Sequence, residues 1–312
     1  MEFDFESILN DALEHYDRDH GLSSSPSSSE EQEVEQNDEE NINDYLDESE
    51  VEETQEEEGR EEGQEEEREE EVSNQPDVID DSRSRFSGAS WFDKFNDLSI
   101  TLAGLGGIGS WAAIHIARLN FDTVYLYDPD YVETANMSGQ LFGCDDIGKD
   151  KTEVIVELMA NYAQYWHTME YTTRYTDQRC TSIFVCGFDN MEARKNAYKQ
   201  WKKHWGDEKE MPAVFIDARL SAEQLQIFTI TGGDKYIQDK YEKEWLFSDE
   251  EADSVVCSYK QTSFCAAIIG GLITNSLVNY IDNYYYYKGV NLRNQPFMIS
   301  YDATTMYLKT SD

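Results

Sequence analysis

The sequence predicts an α/β fold: a Rossmann-like parallel sheet with helices on both faces, extended by an antiparallel C-terminal part and preceded by a long acidic arm. Three observations carry this prediction. From Leu98 onward, short apolar runs alternate with helical segments, the pattern of a parallel sheet covered by helices. A glycine cluster stands between the first run and the first helix. The charge is also unevenly divided: residues 1–80 hold 33 of the 65 Asp and Glu but only 3 of the 25 Lys and Arg, a net of -30 out of -40.

The arm is assigned to residues 1–82. Between residues 20 and 82 there is almost no aliphatic material; residues 23–29 are Ser and Pro, and residues 52–71 are nearly all Glu, Gln and Gly. Such a stretch buries too little apolar surface to offset chain entropy, so disorder is expected. Like-charge repulsion extends it further. At its start Phe5, Leu9, Ala12, Leu13 and Tyr16 recur at helical spacing. That pattern predicts a short amphipathic helix able to dock in a partner's groove. The alternative role for the arm is a solubilising tail.

Residues 83–312 form the predicted nucleotide-binding domain. Trp91, Phe92 and Phe95 suggest a short entrance helix. Residues 98–103 read as a buried strand, bounded by glycine. Residues 110–119, rich in Ala and Ile, read as a helix, Thr123–Tyr127 as a second strand, and 151–162 as a helix. Residues 182–186 form a third strand, followed by the helix Met191–Trp205 and strands over 213–216 and 225–230. Residues 264–280 form a long apolar helix with small residues at Ala266, Ala267, Gly270 and Gly271, suited to the core or to a homodimer contact. Residues 297–308 end the chain in a strand or two.

Composition narrows the function. The domain is mildly acidic and carries no basic stripe, so no nucleic-acid partner is expected. Residues 1–10 lack a basic region and an apolar core, so no signal peptide is expected there, and no transmembrane helix is expected from the apolar runs. The five cysteines are Cys144, Cys180, Cys186, Cys257 and Cys265, an odd number without Cys-x-x-Cys spacing. A reducing, cytoplasmic setting follows. His115, His167 and His204 are isolated and show no metal-ligand spacing. The helix Met191–Trp205 presents Arg194, Lys195, Lys199, Lys202 and Lys203, the most basic surface in the chain and a candidate partner for the acidic arm.

Gly104-Leu105-Gly106-Gly107-Ile108-Gly109 fits G-x-G-x-x-G between a strand and a helix. Gly104 permits the tight turn, Gly106 and Gly107 let a phosphate approach the backbone, and Gly109 brings helix and strand together. Asp128 ends the second strand, where a carboxylate meets ribose hydroxyls. Alone, these features also fit an NAD-dependent oxidoreductase. The chain goes on with Asp128-Pro129-Asp130-Tyr131-Val132-Glu133, Asn136-Met137-Ser138-Gly139-Gln140, Asp146-Ile147-Gly148-Lys149-Asp150-Lys151, and Phe188-Asp189-Asn190 with Arg194.

As a set these motifs resemble the ThiF/MoeB family, the ubiquitin-activating-enzyme-like adenylyltransferases, over roughly residues 85–280. The resemblance implies binding of ATP and Mg²⁺ and adenylation of the C-terminal carboxylate of a small β-grasp protein, ubiquitin-like or sulfur-carrier, by a homodimer. It implies that Asp128 holds the ribose, Lys151 the phosphates and Asp189 the metal. Asp130, Asn136 and Gln140 would line the ATP pocket. Arg85 matches the family's upstream Arg, which reaches the neighbouring subunit's site. Cys257-Ser258-Tyr259-Lys260-Gln261-Thr262 resembles the segment that carries the family's functional thiol, with Cys257 as that thiol, while Cys186 and Cys265 sit in apolar segments and read as inert. One position departs: where the family has Arg in Asn-x-x-Arg-Gln, this chain has Gly139. That loss of a bidentate phosphate ligand also supports a catalytically reduced binding or assembly module.

Overall fold

The computed structural model describes residues 83–178, 180–247, 261–286 and 292–312. The arm, its amphipathic start and Cys257 lie outside the described residues. A single sheet of eight strands organises the rest: β1 (Ser99–Ala103), β2 (Thr123–Tyr127), β3 (Thr168–Tyr171), β4 (Ile183–Cys186), β5 (Val214–Ser221), β6 (Gln224–Thr231), β7 (Met298–Asp302) and β8 (Tyr307–Ser311). Their order is β3-β2-β1-β4-β5-β6-β7-β8. Pairing is parallel from β3 through β5 and antiparallel from β5 through β8. The chain leaves β1 toward β2 and β3, then returns to β4 on β1's other side. The crevice at the C-terminal ends of β1 and β4 is therefore the topological switch point, where ligands of such sheets bind.

Among the described residues five helices cover the sheet: α1 (Gly107–Leu119), α2 (Lys151–Ala163), α3 (Met191–Trp205), α4 (Lys235–Glu244) and α5 (Ser263–Tyr285). The strand side chains divide by pleat. Ile183, Val185, Val214 and Ile216 join Ile116, Val154 and Ile273 in one largely aliphatic core. Phe184, Cys186 and Phe215 join Tyr198, Trp201 and Tyr241 in a second, aromatic core. Period-2 alternation thus sends each strand's residues into two different interiors.

Several expectations are corrected in detail. The entrance segment with Trp91, Phe92 and Phe95 is a series of turns, not a helix. Its bonds, such as Phe92 N to Ala89 O at 3.1 Å and Leu98 N to Phe95 O at 3.0 Å, each skip three residues and do not propagate. Strand β5 runs five residues past the predicted end at 216, because Asp217 and Arg219 are neutralised inside the domain. The small-residue face of α5 is spent partly within the chain. A Cβ on Gly270 would lie 2.9 Å from the Trp111 carbonyl carbon of α1, whereas Gly271 faces open space. Among the described residues α5 alone is long and apolar enough to cross a membrane, but half of its apolar window is buried in the domain, as befits a core helix.

Candidate functional site

The glycine loop follows β1 with a backbone set by contact. Gly104 has φ +87°, and a Cβ there would stand 2.8 Å from the Gly187 carbonyl carbon. The Gly104 and Gly187 backbones therefore touch, which brings the loop after β4 against the loop after β1. A Cβ on Gly109 would overlap the Gly104 carbonyl. Only hydrogen fits at these positions. Gly106, the N-cap of α1, is different: the nearest atom to a Cβ there is Gln140 Nε2, at 3.9 Å. The space beside Gly106, at the N-terminus of α1, is thus bounded by a carboxamide, and helix N-termini suit anions.

Asp128 closes one side. It is 5% exposed, and its two oxygens accept the Leu105 N–H at 2.6 Å and the Asp130 N–H at 2.9 Å. Burial pushes its carboxyl up, against the pull of those two amides and of Lys151. Residues 146–151 fold back onto this strand end. Val132 N bonds Lys149 O at 2.9 Å, Gly148 N bonds Val132 O at 2.9 Å, and Lys151 N bonds Asp130 O at 3.0 Å. Lys151, 6% exposed, then sets its ammonium 3.2 Å from the Asp130 carboxylate. A cation and two carboxylates converge on one end of the crevice.

The segment after β2 is pinned to the first turn of α1. Leu141 N donates to Ser110 Oγ at 3.0 Å and Trp111 Nε1 to Gly139 O at 3.2 Å. Asn136 accepts the Glu133 N–H at 2.9 Å within the 3-10 turn Thr134–Ser138. Gln140 has a buried Oε1 without a hydrogen-bond partner among the described residues. Such an orphan costs energy unless a ligand or water satisfies it.

On the other side stands the loop after β4. Asn190, not Asp189, caps α3, accepting the Ala193 N–H at 2.8 Å. Asp189 is exposed and receives Asn190 Nδ2 at 3.1 Å. Behind it Arg194, expected on the basic face of α3, is instead buried and donates to the carbonyl of Phe188, to the carbonyl of Ala218 at 2.8 Å and to the carboxylate of Asp217. Asp217, fully buried, also accepts from Arg219 Nε at 2.8 Å and Tyr241 Oη at 2.9 Å. Burial pushes its carboxyl up, but the two arginines outweigh this and hold it below the ordinary carboxylate range. This ionic knot fixes the loop that carries Asp189.

Arg85 lies apart. It is exposed on the 3-10 turn Ser84–Phe86, and the segment that follows is tied by Ser90 Oγ to Asp282 near the far end of α5. Cys186 and Cys265 are buried as expected; burial pushes the Cys186 thiol up to about 12, while Cys144 is exposed. No grouping of three or more potential metal-ligating side chains occurs among the described residues. Gln261, which lies in the segment 257–262 but carries no assigned role there, is the residue that sequence reasoning missed. A Cβ on Gly107 would overlap its carboxamide, and one on Gly139 would lie 2.8 Å from its Cγ.

The family model for ThiF matches residues 81–311. The chain belongs to the ThiF family. Among curated ThiF relatives it is similar to ubiquitin-like modifier-activating enzyme 5 of Oryza sativa subsp. japonica, 38% identical over 69 residues, 22% of this chain and 16% of that enzyme. It is also similar to the tRNA threonylcarbamoyladenosine dehydratase of Escherichia coli K12, 38% identical over 88 residues, 26% of this chain and 33% of that enzyme. The chain thus matches well under half the length of each. The fold is that of E. coli MccB solved with ATP, with TM-score 0.55, 18% identity, and coverage of 76% of this chain and 73% of MccB.

Proposed function

We propose that this ThiF-family chain binds ATP at the β1/β4 crevice and adenylates the C-terminal carboxylate of a small ubiquitin-like or sulfur-carrier protein. The observation that carries the reading is the convergence of buried Asp128, Lys151 and the Gly104–Gly106 backbone on one crevice, with the Asp189 loop pressed against it. In this reading Asp128 accepts from ribose hydroxyls, and Asp130 and Asn136 border the sugar and base. Lys151 neutralises phosphate charge, and the amides of Gly106 and Gly107 receive phosphate oxygens.

The substrate carboxylate oxygen bonds to the α-phosphorus, the bond from that phosphorus to the bridging oxygen breaks, and pyrophosphate leaves. Negative charge grows on the α-phosphate as this happens, so fixed cations and amides lower the barrier. Asp189 fits Mg²⁺: it is exposed on a braced loop, and one or two protein carboxylates plus phosphates are the usual magnesium set. The ion would supply charge neutralisation at the leaving phosphates. A homodimer would bring Arg85 of one subunit to the other's site. The Cys257 thiolate would take up the activated acyl group as a thioester, the bond from the acyl carbon to the adenylate oxygen breaking and AMP leaving.

Gly139 favours a second reading, a reduced family member that binds nucleotide or partner without turnover. Pyrophosphate exchange with ATP and a panel of β-grasp proteins decides between them. Exchange that depends on the added protein supports adenylation. ATP binding without exchange supports the second reading, and neither binding nor exchange refutes adenylation and leaves the partner-binding module.

A further inference from the structure

We infer that Gln261 and Gly139 are a matched pair, in which the Gln261 carboxamide takes the phosphate-facing place that the family pattern gives to the side chain at 139. The inference rests on the nucleotide reading above and adds a ligand to it. Gln261 is anchored through its backbone, which bridges Ala222 at the tip of the β5–β6 hairpin. Its side chain then crosses to the first turn of α1. There it lies against both Gly107 and Gly139: a Cβ on Gly139 would stand 2.8 Å from its Cγ and 2.9 Å from its Nε2. The volume that a side chain at 139 would fill is already held by another residue.

The neighbours give this placement its chemistry. Cβ positions on a helix tilt toward its N-terminus, so the carboxamide against Gly107 stands at the end of α1 where anions bind. Gln140 flanks Gly106 with its Nε2, and its buried Oε1 is an orphan. Two neutral carboxamides therefore border the phosphate approach, where the family pattern would set a guanidinium beside one carboxamide. Amide N–H groups still donate to phosphate oxygens, but without charge they hold them less firmly. Gly139 is in this view a concession to Gln261, and the site recognises phosphate with dipoles rather than a fixed cation.

Calorimetric titration of the full chain with ATP and with adenosine tests this. Gln261→Ala is expected to weaken ATP about 2- to 10-fold, the range of one neutral hydrogen bond, and to leave adenosine unchanged. Gln261→Glu, isosteric but anionic, is expected to weaken ATP more than Gln261→Ala does. Gly139→Ala puts a methyl where the carboxamide lies, so it should weaken ATP to a similar extent. The double variant Gly139→Ala/Gln261→Ala should be no weaker than either single one. Variant ATP affinities equal to or tighter than wild type, or losses that simply add, would overturn the pairing. Wild-type protein that binds no ATP at all would refute the nucleotide reading, and the pairing with it.

Discussion

Arg194 is the strongest test of how this domain holds its site together. It donates to Asp217 and to the carbonyls of Phe188 and Ala218, all inside the domain. Replacing it with Leu keeps much of the volume but leaves Asp217 fully buried with Arg219 and Tyr241 alone. Breaking a buried pair from one side costs on the order of 3–5 kcal/mol. Because Arg219 remains 2.7 Å away, the low end, about 3 kcal/mol, is expected. For a domain of this size that is about 6–12 °C in melting temperature. The pH dependence gives the sign. In the wild type Asp217 is held below the ordinary carboxylate range, so its contribution is present at neutral pH and is lost only as pH falls through that depressed value. In Arg194→Leu one of the two opposing cations is gone and burial lifts the carboxyl. A raised group favours the folded state at low pH and penalises it as pH rises. The gap between the two proteins should therefore narrow from pH 7 to about pH 4.5. Urea denaturation at the two pH values measures it, and Asp217→Asn in the variant background should recover part of the loss. A loss under ~2 °C, or a gap that is the same at both pH values, would refute this account of the knot.

Other consequences can be measured alongside. Asp128→Ala and Lys151→Ala should each weaken ATP roughly 10- to 100-fold by calorimetry, the range for hydrogen bonds to charged groups, while Asp189→Ala should reduce pyrophosphate exchange more than binding. Gly139→Arg must displace the Gln261 side chain, so a larger gain in exchange is expected for Gly139→Arg/Gln261→Ala relative to Gln261→Ala than for Gly139→Arg alone. Removal of residues 1–80 should shift the melting temperature by less than ~5 °C, given their composition. Cys257→Ala should leave pyrophosphate exchange intact while abolishing any thiol-linked product seen by mass spectrometry.

The parallel half of the sheet was legible because β1, β2, β4 and the start of β5 are short apolar runs, and a strand buried on both faces cannot be otherwise. The glycine loop and Asp128 were legible because close backbone contact and a strand-end carboxylate leave fixed residue types. What was missed is polar or local in origin. Strand β3 sits at the sheet edge with Met169 and Glu170 exposed, so its sequence carries no burial signal. Helix α4 buries only Gln238 and Tyr241, too few for an apolar period. Asp217 and Arg219 read as a strand end until Arg194, distant in sequence, is seen to neutralise the carboxylate. Gln261 is one residue of the segment read for its thiol, and its own placement comes from the Ala222 bridge that delivers it to two glycines.

The indole of Trp111 has a practical use. It stands on the first turn of the helix that heads the phosphate space, donates to the carbonyl of Gly139, and has its own backbone wedged against Gly270 of α5. Its emission depends on that hydrogen bond and on the polarity of the segment around Gly139. Any ligand that shifts residues 139–141 should change its wavelength or yield, whereas Trp201, sealed in the aromatic core, supplies a steady background. The protein thus carries its own optical reporter, and a Trp111→Phe control would assign the signal without any attached dye.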